Sequence, residues 1–213
     1  MLKIALIGYG YWGSKLARNF QNLEAFKLIS IADTMSKNLS LAKENYPLVK
    51  TSNDYKNTIK NNIIDLVIIS SPTTTHYKIC KFALENYKHV LVEKPLSLSL
   101  KEVKELNKIA QSKKKMIFVD YPFLFSGTIN FIKRIINKNT YGNILEIESF
   151  REQAPIRKDV NVIWDLCTHD ISILTHLLKG NPYSIHTIKK RNIKGTFCDT
   201  AYVNLKYPNN LNV

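Results

Sequence analysis

Apolar residues in the first 120 positions fall into short continuous runs, separated by segments with helical spacing. Residues 2–7 are apolar apart from Lys3, as in a strand buried on both faces. Residues 11–23 place Trp12, Leu16, Phe20 and Leu23 on one side of a helix. The same pattern predicts strands at 27–32, 64–70, 89–92 and 116–120, with helices at 36–45, 75–86 and 100–112. Strand alternating with helix implies parallel strands joined by crossover helices, a doubly wound α/β sheet.

After Asp120 the rhythm changes. A helix is predicted at 127–139, a strand of alternating character at 144–150, and a long helix at 160–179. Two further strands follow at 184–190 and 196–207. Long strands after helices suggest a second, smaller α+β domain with a mostly antiparallel open sheet. The expected division is therefore 1–120 and 121–213. Tyr207-Pro208-Asn209-Asn210 reads as a turn and Leu211-Asn212-Val213 as the start of a returning strand. A sheet stopped there has an unfinished edge, so the second domain is expected to be incomplete.

The first strand runs into Gly8-Tyr9-Gly10-Tyr11-Trp12-Gly13, a G-x-G-x-x-G sequence that opens a helix. That context is the one a dinucleotide-binding Rossmann fold requires. Gly8 permits the tight turn, Gly10 lets a pyrophosphate approach the backbone, and Gly13 lets helix and strand pack closely. Asp33 ends the second strand, where a carboxylate accepts hydrogen bonds from a ribose and repels a 2′-phosphate. NAD is therefore expected over NADP, although Lys37 nearby would soften the repulsion.

The formal charge is +14, from 31 Lys and Arg against 17 Asp and Glu. The lysines are scattered, with the densest clusters only at Lys113-Lys114-Lys115 and Lys189-Lys190-Arg191. No aromatic residues interleave with them as a stacking platform would need, so no nucleic-acid partner is expected. The three cysteines, Cys80, Cys167 and Cys198, form no C-x-x-C pair. That argues against a disulfide framework and against a metal site. The N-terminus lacks the apolar run of a signal peptide, and no stretch reaches the length of a membrane span. A cytoplasmic protein without membrane contact is expected.

Two further motifs lie at the carboxyl ends of predicted parallel strands, where open α/β sheets bind ligands. They are Ser71-Pro72-Thr73-Thr74-Thr75-His76 and Glu93-Lys94-Pro95. With the glycine loop and Trp164-Asp165-Leu166-Cys167-Thr168-His169-Asp170, they make the chain resemble the glucose–fructose oxidoreductase / inositol 2-dehydrogenase (Gfo/Idh/MocA) family. The resemblance implies a coenzyme site formed by Gly8, Gly10, Tyr11, Trp12, Gly13, Asp33, Ser71, Pro72, His76, Glu93, Lys94 and Pro95. It implies that Lys94 is an active-site lysine beside the nicotinamide and a substrate hydroxyl. It also implies that Asp165 and His169 face the substrate. The stretch 157–165 resembles one branch of the family, often associated with surface-polysaccharide sugar metabolism.

Helical spacing agrees with the last pair, because Asp165, His169, Ser172 and His176 recur at intervals of four, three and four along one face. A carboxylate one turn from an imidazole can orient it. Asp170 falls on the apolar side and reads as a structural hydrogen-bonding residue, and Cys167 as packing. Arg151 and Arg157 read as salt-bridging residues, with recognition of an acidic sugar or nucleotide diphosphate as the alternative.

The expected reaction is hydride transfer between NAD and a hydroxyl-bearing carbon of a sugar or sugar nucleotide. Either His169 or Lys94 would take the hydroxyl proton. The competing expectation is a nucleotide-binding protein without turnover. A completed C-terminal sheet would offer the surface for a homo-oligomer.

Overall fold

A computed structural model describes every residue except Lys158, Gly195 and Thr196, and the backbone but not the side chain of Asn209. The chain divides into two compact units, Met1–Asp120 and Tyr121–Val213. Among the described residues no helix is long and apolar enough to cross a membrane.

The first unit is a parallel sheet with strands β1 (Leu2–Ile7), β2 (Phe26–Ala32), β3 (Lys50–Ser52), β4 (Leu66–Ile69), β5 (His89–Glu93) and β6 (Ile117–Asp120). Their order is β3-β2-β1-β4-β5-β6, so the winding reverses between β1 and β4. Helices α1 (Tyr11–Gln21), α2 (Ser36–Asn45), α3 (Tyr55–Lys60), α4 (Thr73–Glu85) and α5 (Leu100–Lys113) connect the strands. Ile4, Leu6, Leu28, Ile31 and Ile68 point to one face, against Ala17 of α1 and Ala42 of α2. Ala5, Ile7, Val67, Ile69, Val90 and Val92 point to the other, against Ile79, Ala83 and Leu84 of α4 and Leu106 of α5. Two covered faces explain why β1 and β4 read as continuous apolar runs rather than alternating ones.

Two elements, β3 and α3, are absent from the hydrophobic pattern. β3 is three residues at the sheet edge, Lys-Thr-Ser, with no apolar side chain. α3 is six residues with only Thr58 and Ile59 buried, and it is fixed by a cap rather than by a stripe. The Asp54 carboxylate accepts from the backbone N–H groups of Lys56 and Asn57.

In the second unit, a short 3-10 turn (Pro122–Phe125) precedes α6 (Gly127–Lys138). A wide π-type turn (Ile163–Cys167) leads into α7 (Thr168–Leu177). β7 (Ser184–Lys190) and β8 (Thr200–Lys206) pair antiparallel. The predicted 160–179 helix is thus shorter and divided. The expected start of the last strand, Thr196, lies outside the described residues.

The predicted strand 144–150 is corrected. It meets Asn212 at the single bridge Glu146–Asn212, with Ile147 N–H donating to the Asn212 carbonyl. Leu145 and Phe150 are exposed, and among the described residues of this segment Ile147 alone packs against the small core around Leu174 and Leu205. A ladder needs a neighbour along its length, and this segment has one at one position. Leu205 and Val213 exchange both backbone hydrogen bonds, and Tyr207 N–H donates to Leu211, so 211–213 turns back along β8. Leu174, Leu205 and Tyr207 form the small core of this unit.

Candidate functional site

In the first unit, the residues expected to hold a coenzyme lie at the ends of β1, β2 and β4. Gly8 follows β1 with φ +93°, and its N–H donates to Ala32 at the end of β2. A Cβ on Gly8 would lie 2.5 Å from the Ser70 carbonyl oxygen, and one on Gly13 only 2.0 Å from the Gly8 carbonyl oxygen. These two glycines are therefore demanded by packing. Gly10 differs, because a Cβ there would meet nothing within 4 Å. The backbone of Gly10 is open to an approaching group, as a pyrophosphate requires.

α1 begins directly after Gly10, with no side-chain cap and no acidic residue in its first turn. The first intrahelical bond is Ser14 N–H to Gly10, so the N–H groups of Tyr11, Trp12 and Gly13 precede the helical ladder. Such a helix start favours an anion. Tyr11 and Trp12 are exposed, edge-to-face at 5.3 Å, and Lys15 donates to the Tyr11 hydroxyl at 2.7 Å.

Asp33 is not an idle turn residue. Its Oδ2 accepts from Tyr9 N–H at 2.6 Å and from the Asn38 amide at 3.0 Å, and its Oδ1 accepts from Met35 N–H at 2.8 Å. The side-chain neighbour that bonds the carboxylate is Asn38, where the sequence drew attention to Lys37. A cleft of about 460 Å³ joins Gly8, Gly10 and Asp33 to Asn53, Tyr55 and Ser71. It lies at the β1/β4 reversal, where open α/β sheets bind ligands. Asn38, Asn53, Tyr55 and Lys78 line it and were missed from sequence. Asn53 and Tyr55 belong to the short β3–α3 region that carried no periodic signal.

The Ser71–His76 motif acts largely on itself. Thr75 Oγ1 donates to the Pro72 carbonyl at 2.7 Å, and Ser71 Oγ lies 2.6 Å from Thr75 Oγ1. His76 is 1% exposed, with Nδ1 2.8 Å from the Pro95 carbonyl oxygen and Nε2 2.9 Å from that of Ser71. The ring ties the loop after β4 to the loop after β5 and so positions both. Glu93 ends β5 opposite Asp120 of β6, and burial raises the Asp120 carboxyl above its usual pKa. Lys94 follows at the carboxyl end of β5, half-buried, with Pro95 buried behind it.

The second unit presents Asp165 and His169. Asp165 is buried on the π-type turn, and its Oδ1 accepts from Arg157 at 3.3 Å. Arg157 also holds Asp159 through Nε and Nη2, at 2.9 and 2.5 Å. Asp159 raises the guanidinium's pKa further, and Arg157 in turn holds the Asp159 carboxyl below its usual value. The neighbouring Lys158 lies outside the described residues.

His169 sits in the first turn of α7 with its ring edge-to-face on Phe123 at 5.1 Å. Arg151 covers the same Phe123 ring at 4.7 Å and is fixed in turn by a bidentate pair with Asp170. Asp170, which also accepts from Ser149, has the structural role expected of it. Burial, reinforced by Asp170, raises the Cys167 thiol pKa, which suits packing rather than nucleophilic use.

The expected single polar stripe is broken. The π-type turn widens the helix at Asp165, Ser172 bonds back to the His169 carbonyl, and His176 lies 3.3 Å from both Asn130 and Lys133 of α6. A cavity of about 580 Å³ beside the turn is lined by Arg151, Arg157, Asp165, Asp199 and Tyr202, among others.

A model of an oxidoreductase family with an NAD-binding Rossmann fold matches residues 2–121. The chain belongs to this family, Gfo/Idh/MocA. The resemblance drawn from the motifs is thereby borne out, and so is the fold class. The chain is 27% identical over 184 residues to myo-inositol 2-dehydrogenase of Thermotoga maritima, covering 83% of this chain and 55% of that one. It is 29% identical over 191 residues to scyllo-inositol 2-dehydrogenase (NAD(+)) of Bacillus subtilis, covering 86% and 56%. The crystal structure of myo-inositol 2-dehydrogenase from Lactobacillus plantarum shares the fold, with a TM-score of 0.87 at 23% identity, covering 99% of this chain and 68% of that one. The chain spans 48% to 63% of the length of the first curated relatives it matches.

Proposed function

We propose that this Gfo/Idh/MocA chain serves an NAD-dependent dehydrogenase acting on a hydroxyl-bearing carbon of a sugar or sugar nucleotide. The observation that carries the reading is the cleft at the β1/β4 reversal. There an open Gly10 backbone and a fixed Asp33 carboxylate flank one space, and Lys94 directly follows β5, the next strand but one from β1 in the same sheet. The residues fit a dinucleotide: N–H groups at the start of α1 for the phosphates, and the Asp33 carboxylate for an adenosine ribose. NAD is favoured over NADP because a 2′-phosphate would bring a second negative charge to Asp33.

Bound NAD supplies the hydride acceptor, and the protein supplies position and proton transfer. Lys94 donates a hydrogen bond to the substrate hydroxyl. His169, seated on Phe123 and accompanied by Asp165, takes the hydroxyl proton. The inositol dehydrogenases among the relatives support a polyol or sugar substrate.

The test titrates NAD and NADP by calorimetry and follows coenzyme reduction with polyols, aldoses and sugar nucleotides. Lys94→Met is expected to abolish turnover while holding NAD affinity within a few-fold. His169→Gln is expected to remove the acidic limb of the pH–rate profile, where protonation of the base stops turnover. A limb that survives His169→Gln would assign the base to Lys94. Tight coenzyme binding with no reduction by any substrate would identify a nucleotide-binding protein without turnover.

A further inference from the structure

Asp33 faces two ways. One Oδ2 hydrogen bond runs back to the N–H of Tyr9, the residue between the first two glycines of the loop, at 2.6 Å. That N–H is thereby committed to the carboxylate that follows β2. The Tyr9 side chain continues the tie. Its ring is 2% exposed within the β2–α2 core, its hydroxyl accepts from the Asn45 amide at 3.1 Å, and it meets Tyr46 edge-on at 6.4 Å. The loop is thus anchored by its backbone to a carboxylate and by its side chain to the last turn of α2. A charge-assisted hydrogen bond to a backbone N–H is among the stronger ones. Three of the roughly four lone-pair positions of the carboxylate are taken by Tyr9, Asn38 and Met35, leaving one direction for a ligand hydroxyl.

We propose that Asp33 is a positioning residue for the phosphate-binding loop, so that recognition of the ribose and recognition of the diphosphate are coupled through one carboxylate. The proposal rests on the reading that this cleft holds a dinucleotide. Its consequence is specific: Asp33 strengthens binding even of a ligand that has no ribose hydroxyl to offer it. Simple electrostatics predicts the opposite, because removing a negative charge near a diphosphate should tighten binding.

The experiment measures dissociation constants of ADP and of 2′,3′-dideoxy-ADP for the full chain and for Asp33→Ala and Asp33→Asn. Exchange of the Tyr9 amide is followed by NMR without ligand. Asp33→Ala is expected to weaken 2′,3′-dideoxy-ADP roughly tenfold and ADP by a larger factor. Asp33→Asn, which keeps an acceptor of the same shape, should recover part of the loss for the dideoxy ligand. The Tyr9 amide should exchange at least about tenfold faster in Asp33→Ala. Unchanged or tighter binding of 2′,3′-dideoxy-ADP, or an unchanged Tyr9 exchange rate, overturns the coupling. If the wild-type chain bound neither nucleotide, the coenzyme reading would fall, and the exchange comparison would still decide the loop's dependence on Asp33. Should Asp33→Ala not fold, Asp33→Asn against wild type decides alike: a loss with the dideoxy ligand supports the coupling, and no loss refutes it.

Discussion

The glycine loop allows folding and binding to be separated by adding one methyl group at two different places. In Gly13→Ala the new Cβ would stand 2.0 Å from the Gly8 carbonyl oxygen and 2.9 Å from its carbon. An ordinary C···O contact needs about 3.3 Å, so the two backbones must part by about 1.3 Å. Gly8 has little room to give. Its N–H is bonded to Ala32, and on its other side the Ser70 carbonyl already crowds its Cβ direction at 2.5 Å. Overpacking costs ~1–3 kcal/mol, more when only backbone can yield. Alanine's better helix propensity returns at most about 1 kcal/mol. With the cost at the upper end of that range, the net expectation is a loss of about 2 kcal/mol from the first unit, accompanied by weaker ADP binding.

Gly10→Ala is the contrast. Gly10 has φ −80° and ψ −156°, allowed to alanine, and its added methyl group meets no protein atom within 4 Å. Losing glycine at an N-cap costs less than ~1 kcal/mol, but the methyl group occupies the space a phosphate would use. Stability should therefore change little while ADP affinity falls at least about tenfold. Native-state hydrogen exchange of the β1 and β4 amides reports stability for this unit alone, and calorimetry reports binding. A Gly13→Ala protein as stable as wild type would refute the packing argument. A Gly10→Ala protein that binds ADP normally would refute the placement of the phosphates.

Two further outcomes follow from the same structure. Burial pushes the Cys80 thiol up to about 12 from its ordinary 9.0. Between those values the unfolded chain has lost the proton and the folded chain has kept it. Stability should then fall as pH rises through that window, by up to about 4 kcal/mol, and be unaffected below it. Urea midpoints from pH 7 to 11 should decline more steeply for wild type than for Cys80→Ala, and equal slopes would contradict the assignment. In the second unit, Asp170→Asn weakens the partly buried bidentate pair with Arg151, whose side chains are 24% and 16% exposed in the order Arg151, Asp170. A loss of ~1–2 kcal/mol is expected in the exchange of α7 amides, below the cost of breaking a fully buried pair.

Much of the first unit was legible because its chemistry is local. A strand covered on both faces must be apolar throughout, and a loop that packs Gly13 on Gly8 must be glycine at both positions. What escaped were elements held by single contacts rather than by periodicity. The Asp54 cap makes α3, and no stripe of apolar residues announces it. Its consequence reached the site, because Tyr55 lines the cleft from that helix. His76 was named from the sequence, but its contacts were not legible there. Its motif marks it as part of the site, but only the fold shows that both ring nitrogens face carbonyl oxygens of two separate loops.

The second unit shows where a spacing rule gives way. Residues four apart share a face only while the helix keeps its ordinary pitch, and Ile163–Cys167 departs from it. The motif around Asp165 and His169 is intact, but the described contacts of the two side chains lead to different neighbours. Arg157 bonds Asp165 from the irregular stretch before the helix, and Phe123 seats the His169 ring from the 3-10 turn. Arg151 and Asp170 then matter to His169 without touching it in the described contacts, because the pair holds the guanidinium over the Phe123 ring on which His169 is seated. The side chains that read from sequence as salt bridges thus become supports of the proposed base. Asp170, set aside as structural on the apolar side of the helix, is structural in the service of the residue before it.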